Sequence, residues 1–469
     1  MSTKTPKHSF RTNARSLFLV ALLVAVPAVR AAEPATVFTR AQLREDLAAL
    51  DGILKEMHPD PAYTIDSAAL EASKQKIASV LESGEPMTRD QAWSLFATLN
   101  PAFADGHLLV SIPEWRDGTR AHLAAGGVLF PFEVQVTERG EITILRALGG
   151  GAAPLAGARI RAINGVDASE VFAALMTRVP GDTPAFRAGI LSVRFWLYYW
   201  KVFGAPASYD IRLAGQRRVR QIAGVAAVPV ILAEEADFER MYRFDLLPDH
   251  AALLRVGSFV WEDKEKFVAF TKESFRKMQA AGTKTLIIDI RTNTGGNDDM
   301  WREGILAYIA TKPYRWASHY RKRVGTPDPA KNEKAGDLVD GELETWIPPQ
   351  TDNPLHFAGQ VYVLTGPATY SSSVVFSVVM QDFGFGTLVS EGAKDGVRAS
   401  QTGGTRGKTL PNSGLTVIVP RFVLIRPSGI RTPPLLLADI EIAHQPLDPS
   451  AAIRSLLKIA KEETHQPGR

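Results

Sequence analysis

The feature that most constrains the fold is an alternation of short apolar runs with helical segments across residues 230–460. The runs 286–288 and 361–364 contain no charged residue, which is typical of strands buried on both faces of a parallel sheet. Segments of helical length, such as 263–280 and 371–383, separate the runs and can provide the crossovers that parallel strands require. The pattern predicts a layered α/β domain over residues 227–460.

Two regions of different character precede this domain. Apolar residues recur at helical spacing in 38–57, and further helices are predicted near 67–83 and 88–99. Between about 120 and 225, short β-like runs alternate with glycine-containing turns, and one amphipathic helix, residues 169–179, interrupts them. We therefore expect an α/β multidomain protein with a helical N-terminal part (32–118) and a β-rich domain (119–226). The polar segment 327–345 is predicted to be a mobile loop.

The first 31 residues have the composition of a secretory signal peptide. Basic residues precede the apolar run 17–29, and small residues at Val29 and Ala31 predict cleavage after Ala31 or Ala32. The apolar run is too short to span a bilayer, so we expect an exported protein, periplasmic or secreted, with no stable membrane insertion. Residues 1–31 hold five basic and no acidic side chains, so their removal takes the formal net charge from +4 to −1. A nearly neutral chain gives no electrostatic basis for binding nucleic acid.

Several familiar kinds of site are excluded by the sequence. The chain has no Cys, which removes disulfide frameworks, cysteine nucleophiles and thiolate metal sites. It contains neither an HExxH motif nor a GxSxG motif, which argues against a zinc peptidase and an α/β-hydrolase. The stretch 403–409 resembles a phosphate loop, but Thr402 stands where that motif requires its first glycine. No metal and no cofactor are predicted.

Three phrases carry candidate chemistry. Ser371 lies between an apolar strand and an apolar helix, so its hydroxyl would lie at the positive end of a helix dipole. The phrase LIIDIRTNTGGN (286–297) ends with Gly295 and Gly296, where the backbone can approach a ligand closely. His107 in ADGHL has a proton affinity suited to a general base, and Asp105 lies beside it. Taken alone, the serine phrase also fits a helix cap, the double glycine also fits a tight turn, and the histidine also fits a packed side chain.

In this order the phrases resemble the C-terminal processing (tail-specific) serine peptidase family, and within it the tricorn-core-like branch. The segment 156–166, which ends in AINGV, resembles part of a PDZ domain. The resemblance covers about residues 40–445 and implies a PDZ-like domain over 119–226 and a catalytic domain of the ClpP/crotonase type over 227–460. The matching phrases are Asp105–His107, Asp289–Gly296, Thr369–Ser373, Ser390–Glu391 and Leu410–Leu415.

The resemblance implies roles for individual residues. Ser371 corresponds to the nucleophile and His107 to the general base. The backbone amide of Ser372 and a glycine amide, from Gly295 or Gly296, would form the oxyanion hole.

Two of these roles have alternatives. Another branch of the family uses a lysine downstream of the serine as the base, and Lys394 is the nearest lysine here. In the tricorn-like branch a glutamate before a Pro-Asp pair orients the histidine, but the stretch 429–439 contains no Glu. Glu391 and Asp105 are therefore both candidates for the orienting group.

The resemblance implies protein or peptide substrates. Gly127, Val128, Leu129 and Phe130 lie where a PDZ domain holds the end of an extended peptide. The sequence thus predicts an exported serine endopeptidase that cleaves unfolded or C-terminal segments of proteins through an acyl-enzyme. A catalytically inactive peptide-binding or scaffold protein of the same fold is the alternative, motivated by the missing glutamate and by Leu108 in place of the family's Thr. A crotonase-like acyl enzyme is a third possibility, which the PDZ-like domain and the signal peptide argue against.

Overall fold

The structure is a computed structural model that describes residues 36–392 and 396–465. The described residues from 37 onward form one compact unit. The predicted signal peptide, residues 1–31, and Lys394 lie outside the described residues. Among the described residues, no helix combines the length and the apolar character needed to cross a bilayer. The boundaries at 118/119 and 226/227 stay predictions.

The N-terminal region is helical, as predicted. Helix α1 begins at a capping box in which Thr39 and Gln42 exchange hydrogen bonds, and it ends at His58 because Pro59 disfavours helical geometry there. The elements are α1 (Arg40–Met57), α2 (Ser67–Val80), α3 (Arg89–Phe96), α4 (Asn100–Phe103), α5 (Trp115–Ala124) and the short strands β1 (Val37–Phe38), β2 (Met87–Thr88) and β3 (Leu109–Val110).

Residues 129–225 form a β-rich region around one sheet. Its elements are β4 (Phe132–Val136), β5 (Ile142–Ala147), β6 (Arg159–Ile163), β7 (Val166–Asp167), α6 (Ala168–Met176), α7 (Pro184–Phe203), β8 (Ser208–Leu213) and β9 (Val219–Ala223). The strand order is β4-β5-β6-β8-β9, so β4 and β9 are the two edges. The sequence located α6, whereas α7 was not assigned from any pattern. Helix α7 packs along β4 and buries the aromatic side chains of Phe195 and Trp196.

The C-terminal half contains the remaining elements. They are α8 (Val230–Glu235), α9 (Phe238–Met241), β10 (Tyr242–Leu247), β11 (Ala251–Val256), α10 (Lys264–Ala280), β12 (Thr285–Asp289), α11 (Asp298–Trp301), α12 (Ala307–Ile309), β13 (His319–Arg323), β14 (Leu338–Glu342), β15 (Gln360–Thr365), α13 (Ser372–Asp382), β16 (Thr387–Glu391), β17 (Gln401–Gly403), β18 (Arg406–Thr409), β19 (Thr416–Val419), β20 (Phe422–Ile425), β21 (Ile440–Ile442) and α14 (Ala451–His465).

A six-stranded sheet lies at the centre of this half. Its order is β10-β11-β12-β15-β16-β21, and every pair is parallel except β10–β11. Ile288 belongs to the apolar cluster that includes α10 and α13, whereas its neighbour Ile287 packs with α14. The predicted strands 286–288 and 361–364 are therefore confirmed as buried on both faces. Because β12 and β15 are adjacent and parallel, the segments that follow them meet at one edge of the sheet.

Two smaller sheets connect distant parts of the chain. One has the order β14-β13-β20-β17 and the other β18-β19-β3. Pairing of β3 with β19 joins the N-terminal region to the C-terminal half, two residues after His107. The expectation of a loop over 327–345 is wrong in part, because β14 pairs along its whole length with β13. Its alternating half-buried and exposed residues are those of an edge strand.

Candidate active site

Ser371 lies on a strained turn between β15 and α13. Its backbone has φ 58° and ψ −128°, a conformation that costs a non-glycine residue about 1–3 kcal/mol. The turn is fixed by the Thr369 hydroxyl, which donates to the carbonyl of Ile290 at 2.9 Å and accepts from the amide of Gly366 at 3.0 Å. The preceding segment is thus tied to the end of β12, and Ser371 is held at the N-terminus of α13.

His107 meets this serine. Its Nε2 atom lies 2.8 Å from Ser371 Oγ, although 264 positions separate the two residues in the chain. The imidazole is 9% exposed and its ring centre is 4.7 Å from that of Tyr370. Burial lowers the pKa of His107 to about 4, against a smaller opposing effect of the Asp182 carboxylate. The ring is therefore neutral at neutral pH and able to accept a proton at Nε2.

Thr402 and Asp105 lie behind the imidazole. Thr402 Oγ1 is 3.0 Å from His107 Nδ1 and 2.9 Å from each carboxylate oxygen of Asp105. The single hydroxyl proton of Thr402 is directed to the carboxylate, so the hydroxyl accepts from Nδ1–H. This arrangement places the ring proton on Nδ1 and leaves Nε2 with its lone pair toward Ser371. Asp105 also accepts from the backbone amide of His107 at 2.8 Å, and its Oδ1 lies 3.7 Å from Nδ1.

A second buried carboxylate lies on the other side of Asp105. The Tyr370 hydroxyl donates to Asp182 Oδ1 at 2.7 Å and accepts from the amide of Gly106 at 2.9 Å. Asp182 also accepts from the backbone amide of Arg398 at 3.0 Å. Burial raises the pKa of Asp182, and the Asp105 charge adds to the rise; burial also raises the pKa of Asp105. The network fixes the residue that precedes Ser371 against the segment that carries His107.

Gly295 lies against the serine as the sequence indicated. A Cβ atom on Gly295 would lie 2.6 Å from Ser371 Cβ and 3.0 Å from Ser372 N, and φ is +105° there. The Gly295 amide, however, donates to Asn293 Oδ1 at 2.9 Å. Among the described residues, no acceptor takes the amides of Gly296 and Ser372. The amide pair available for an oxyanion is therefore Gly296 and Ser372, with Gly295 supplying the close approach.

The side chain of Ser372 is fixed by a separate contact. Its hydroxyl donates to Asp298 Oδ1 and accepts from the indole N–H of Trp301 at 3.0 Å. Asp298 and Trp301 belong to α11, directly after the double glycine. The two segments that carry the candidate oxyanion amides are thus connected to each other.

The prediction of Glu391 as the group that orients His107 is corrected by the structure. Glu391 accepts from Arg291 Nη1 and lies 3.1 Å from His444 Nδ1. Arg291 in turn donates to both carboxylate oxygens of Asp289. Burial raises the pKa of Glu391, but the contacts with His444 and Arg291 outweigh it and hold the pKa below its usual value. Glu391 therefore joins the ends of β12 and β16.

The four residues predicted to bind peptide are engaged within the protein. The Leu129 amide donates to the Val225 carbonyl at 3.0 Å and the Gly127 amide to the His122 carbonyl at 2.9 Å. Val128 accepts from His122 Nε2 at 3.0 Å, and Phe130 is fully buried. The amides of Gly127 and Leu129 already donate within the protein, so they are not available to a peptide carboxylate. The expected docking position is corrected accordingly.

Thr402 and Asp182 were missed as site residues. Asp105 was detectable because it lies two positions before His107. Thr402 stands in a short edge strand, β17, and no spacing to the other site residues identifies it. Asp182 follows α6 in a turn without a motif. Both enter the site only through tertiary pairing.

Comparisons with known proteins agree with this geometry. Residues 250–432 match the model of peptidase family S41. No curated protein sequence matches the chain. Among solved structures, a mutant of CPAF aligns with a TM-score of 0.64 at 14% identity, covering 92% of this chain and 99% of that chain. Mature CPAF complexed with lactacystin aligns with a TM-score of 0.62 at 15% identity, covering 91% and 98%. At such identities these likenesses show a shared fold.

The family match includes both the double glycine and Ser371, while the histidine is supplied by the N-terminal region. Residues 250–432 are thus similar to peptidase family S41, and this match together with the paired histidine and serine makes the protein a serine peptidase.

Proposed function

We propose that the protein is an exported serine endopeptidase that cleaves unfolded or C-terminal segments of proteins through an acyl-enzyme. The observation that carries this proposal is the 2.8 Å contact between His107 Nε2 and Ser371 Oγ, with Thr402 and Asp105 on the far side of the ring. A nucleophile, a neutral base and an orienting carboxylate in one line are the groups that acyl transfer needs.

The first step forms the acyl-enzyme. His107 Nε2 takes the hydroxyl proton of Ser371 while Oγ bonds to the carbon of the scissile carbonyl. The carbonyl oxygen becomes an oxyanion that accepts from the Ser372 and Gly296 amides, each donor contributing about 10²–10³-fold. The imidazolium then gives its proton to the leaving nitrogen as the C–N bond breaks.

The second step releases the product. A water molecule gives its proton to His107 Nε2 and its oxygen bonds to the acyl carbon, after which the C–O bond to Ser371 breaks and Oγ recovers the proton. In both steps the imidazolium is stabilised by Asp105 through the Thr402 hydroxyl. General base action of this kind contributes about 10²–10⁴-fold.

The finer parts of the proposal concern the domains and the location. The strand order of residues 129–225 and the Asn164-Gly165 turn, at φ values of 50° and 81°, support a PDZ-like domain. The parallel sheet with its serine at a strand-to-helix turn supports a crotonase-type catalytic domain. Export rests on the signal-like composition of residues 1–31.

The test is cleavage by the protein that begins after the predicted signal. Unfolded casein and peptides with free or amidated carboxyl ends serve as substrates, and a fluorophosphonate probe reports the serine. Cleavage and labelling are expected to be lost in Ser371→Ala, and cleavage in His107→Ala. Ser373→Ala is the matched control, because its buried hydroxyl has no partner among the described residues and its removal should leave cleavage intact.

Three outcomes contradict the proposal. Cleavage that persists in both Ser371→Ala and His107→Ala removes the assigned pair. Cleavage lost in Lys394→Ala but kept in His107→Ala assigns the base to the lysine instead. Binding of peptides by a wild-type protein that cleaves none of them supports the inactive peptide-binding alternative.

A further inference from the structure

The sheet of the β-rich region has one covered edge and one open edge. Helix α7 packs along β4, where Ser192 Oγ accepts from the Val136 amide at 2.8 Å. The opposite edge is β9, which pairs with β8, and the pairing of Leu129 with Val225 covers this outward side only beyond Ala223. Residues 214–221 are all exposed, and Val219 is 51% exposed. The edge that is open to a partner is therefore β9.

The backbone of β9 presents unpaired groups in an alternating register. The Gly224 amide donates to the Ala207 carbonyl at 2.9 Å, in continuation of the β8–β9 pairing. Because hydrogen-bonded and non-hydrogen-bonded pairs alternate in an antiparallel ladder, Val219, Gln221 and Ala223 direct their N–H and C=O groups away from β8. Within the described ranges, no backbone group elsewhere pairs with them. An extended peptide can add at this edge as a further strand.

Arginines surround the same edge. Arg217, Arg218 and Arg220 form no ion pair with the described carboxylates, and Arg220 donates only to Gln216 Oε1, at 3.2 Å. The neighbouring Arg212 is already paired with Asp167. Three uncompensated guanidinium groups beside a free strand edge make the surface complementary to an acidic segment. Two copies of the chain paired through β9 would bring their arginines together, which disfavours self-pairing.

We propose that β9 is a docking edge for acidic, extended segments of protein substrates, held by strand addition and by Arg217, Arg218 and Arg220. This rests on the proposed function, because it takes the captured segment to belong to a substrate of Ser371. A nucleic acid would satisfy the arginines but not the outward carbonyls of β9, because its backbone has no N–H donors. A peptide satisfies both.

The experiment measures binding without cleavage. The Ser371→Ala protein is titrated into a fluorescent peptide of alternating Glu and Val, and into its counterpart of alternating Gln and Val. We expect the Glu peptide to bind at least about tenfold more tightly at low salt, and this preference to shrink as salt screens the charges. An oligonucleotide of equal charge is the third probe, and it is expected to bind more weakly than the Glu peptide.

Two variants separate charge from strand addition. Arg217→Gln combined with Arg220→Gln is expected to remove the preference for Glu, and Arg243→Gln, which removes the charge of an exposed arginine on β10, is the control for loss of positive charge elsewhere. Gln221→Pro removes one outward N–H, keeps every arginine and leaves the inward hydrogen bonds of β9 in place. It is expected to weaken binding of both peptides, and a peptide methylated on alternate backbone nitrogens provides the same test with the parent protein.

The outcomes are distinct. Binding unchanged in the arginine variant overturns the proposal, as does binding that resists both Gln221→Pro and backbone methylation. An oligonucleotide that binds more tightly than the Glu peptide assigns the edge to another class of ligand. Binding is measured with the Ser371→Ala protein and cleavage with the wild-type protein, so the two proposals are tested separately. Loss of binding overturns the docking edge and leaves the peptidase assignment intact. Loss of cleavage with intact binding overturns only the peptidase assignment.

Discussion

Removal of the Thr402 hydroxyl tests whether the contact behind His107 serves the chemistry. Thr402→Val keeps the shape of the side chain and deletes the one group that joins Nδ1 to Asp105. The imidazole proton then has no acceptor at hydrogen-bond distance, because Asp105 Oδ1 lies 3.7 Å away. A hydrogen bond to a charged group contributes about 1.5–3 kcal/mol, so kcat should fall about 10- to 100-fold.

Asp105→Asn should cost more than Thr402→Val. At 3.7 Å and an effective dielectric constant of about 20, the imidazolium and the Asp105 carboxylate attract each other by about 4–5 kcal/mol. The amide also reverses the direction of the relay, because its N–H₂ group donates to Thr402 Oγ1 and turns the hydroxyl proton toward Nδ1. That favours the Nε2–H tautomer, which cannot accept from Ser371. We expect a loss of about 10³-fold in kcat.

The assay is the rate of a single turnover on a peptide with a fluorescent leaving group, measured with saturating enzyme. Thr402→Ser is the matched control, because it restores the hydroxyl without the methyl group and should recover most of the rate. Effects of Thr402→Val and Asp105→Asn should not add in the double variant, because both act through one relay. Wild-type rates in Thr402→Val, or a Thr402→Ser protein as slow as Thr402→Val, refute the reasoning.

Three further predictions concern the same site. Because the pKa of His107 is about 4, kcat/KM should stay constant as pH falls through 6.5 and decline only near pH 4, when the imidazolium forms. A pH–rate profile with an acid limb at pH 6.5 contradicts this prediction. Gly295→Ala should abolish cleavage because its Cβ would lie 2.6 Å from Ser371 Cβ, whereas Gly384→Ala, also at positive φ but with no atom within 4 Å, should cleave normally in the same assay. Glu391→Gln should lower the free energy of unfolding by about 1.5–3 kcal/mol in urea, because it removes the charge that pairs with Arg291 while Arg291 keeps its contact with Asp289, and the folded fraction should keep its kcat. A large fall in kcat at unchanged stability would return Glu391 to the chemistry.

The sequence predicted those parts of the fold that depend on local pattern. Apolar runs such as 286–288 and the helical spacing of apolar residues in 38–57 are short-range signals, and both were located correctly. Helix α7 lacked such a signal, since its buried aromatic residues are read equally well as a strand or a helix. Strand β14 was missed because an edge strand with an exposed face has the composition of a loop.

The residues of the candidate site likewise differ in whether the local sequence identifies them. His107 and Ser371 each stand in a phrase whose neighbours constrain the backbone, so their residue types and their order along the chain are informative by themselves. The sequence does not identify the group that orients His107, because a carboxylate can reach an imidazole through an intervening hydroxyl from any strand that passes nearby. Asp105 and Glu391 are equal candidates in the sequence, and only the position of β17 separates them: it brings Thr402 between Asp105 and Nδ1, while Arg291 holds Glu391 at the end of β16.

The peptide-binding position predicted at Gly127–Phe130 differs from the structure for a similar physical reason. The phrase Gly127–Phe130 is compatible with an open carboxylate pocket and with a strand that closes a barrel, because both use glycine followed by apolar residues. Two long-range facts decide between them, the pairing of Leu129 with Val225 and the packing of α7 on β4. The sequence around Gly127–Phe130 indicates neither of these contacts, because both depend on residues far along the chain. Helix α7 covers β4, but among the described residues the outward backbone groups of β9 from Val219 to Ala223 have no partner, so an extended chain can still add there beside the arginines of the β8–β9 turn.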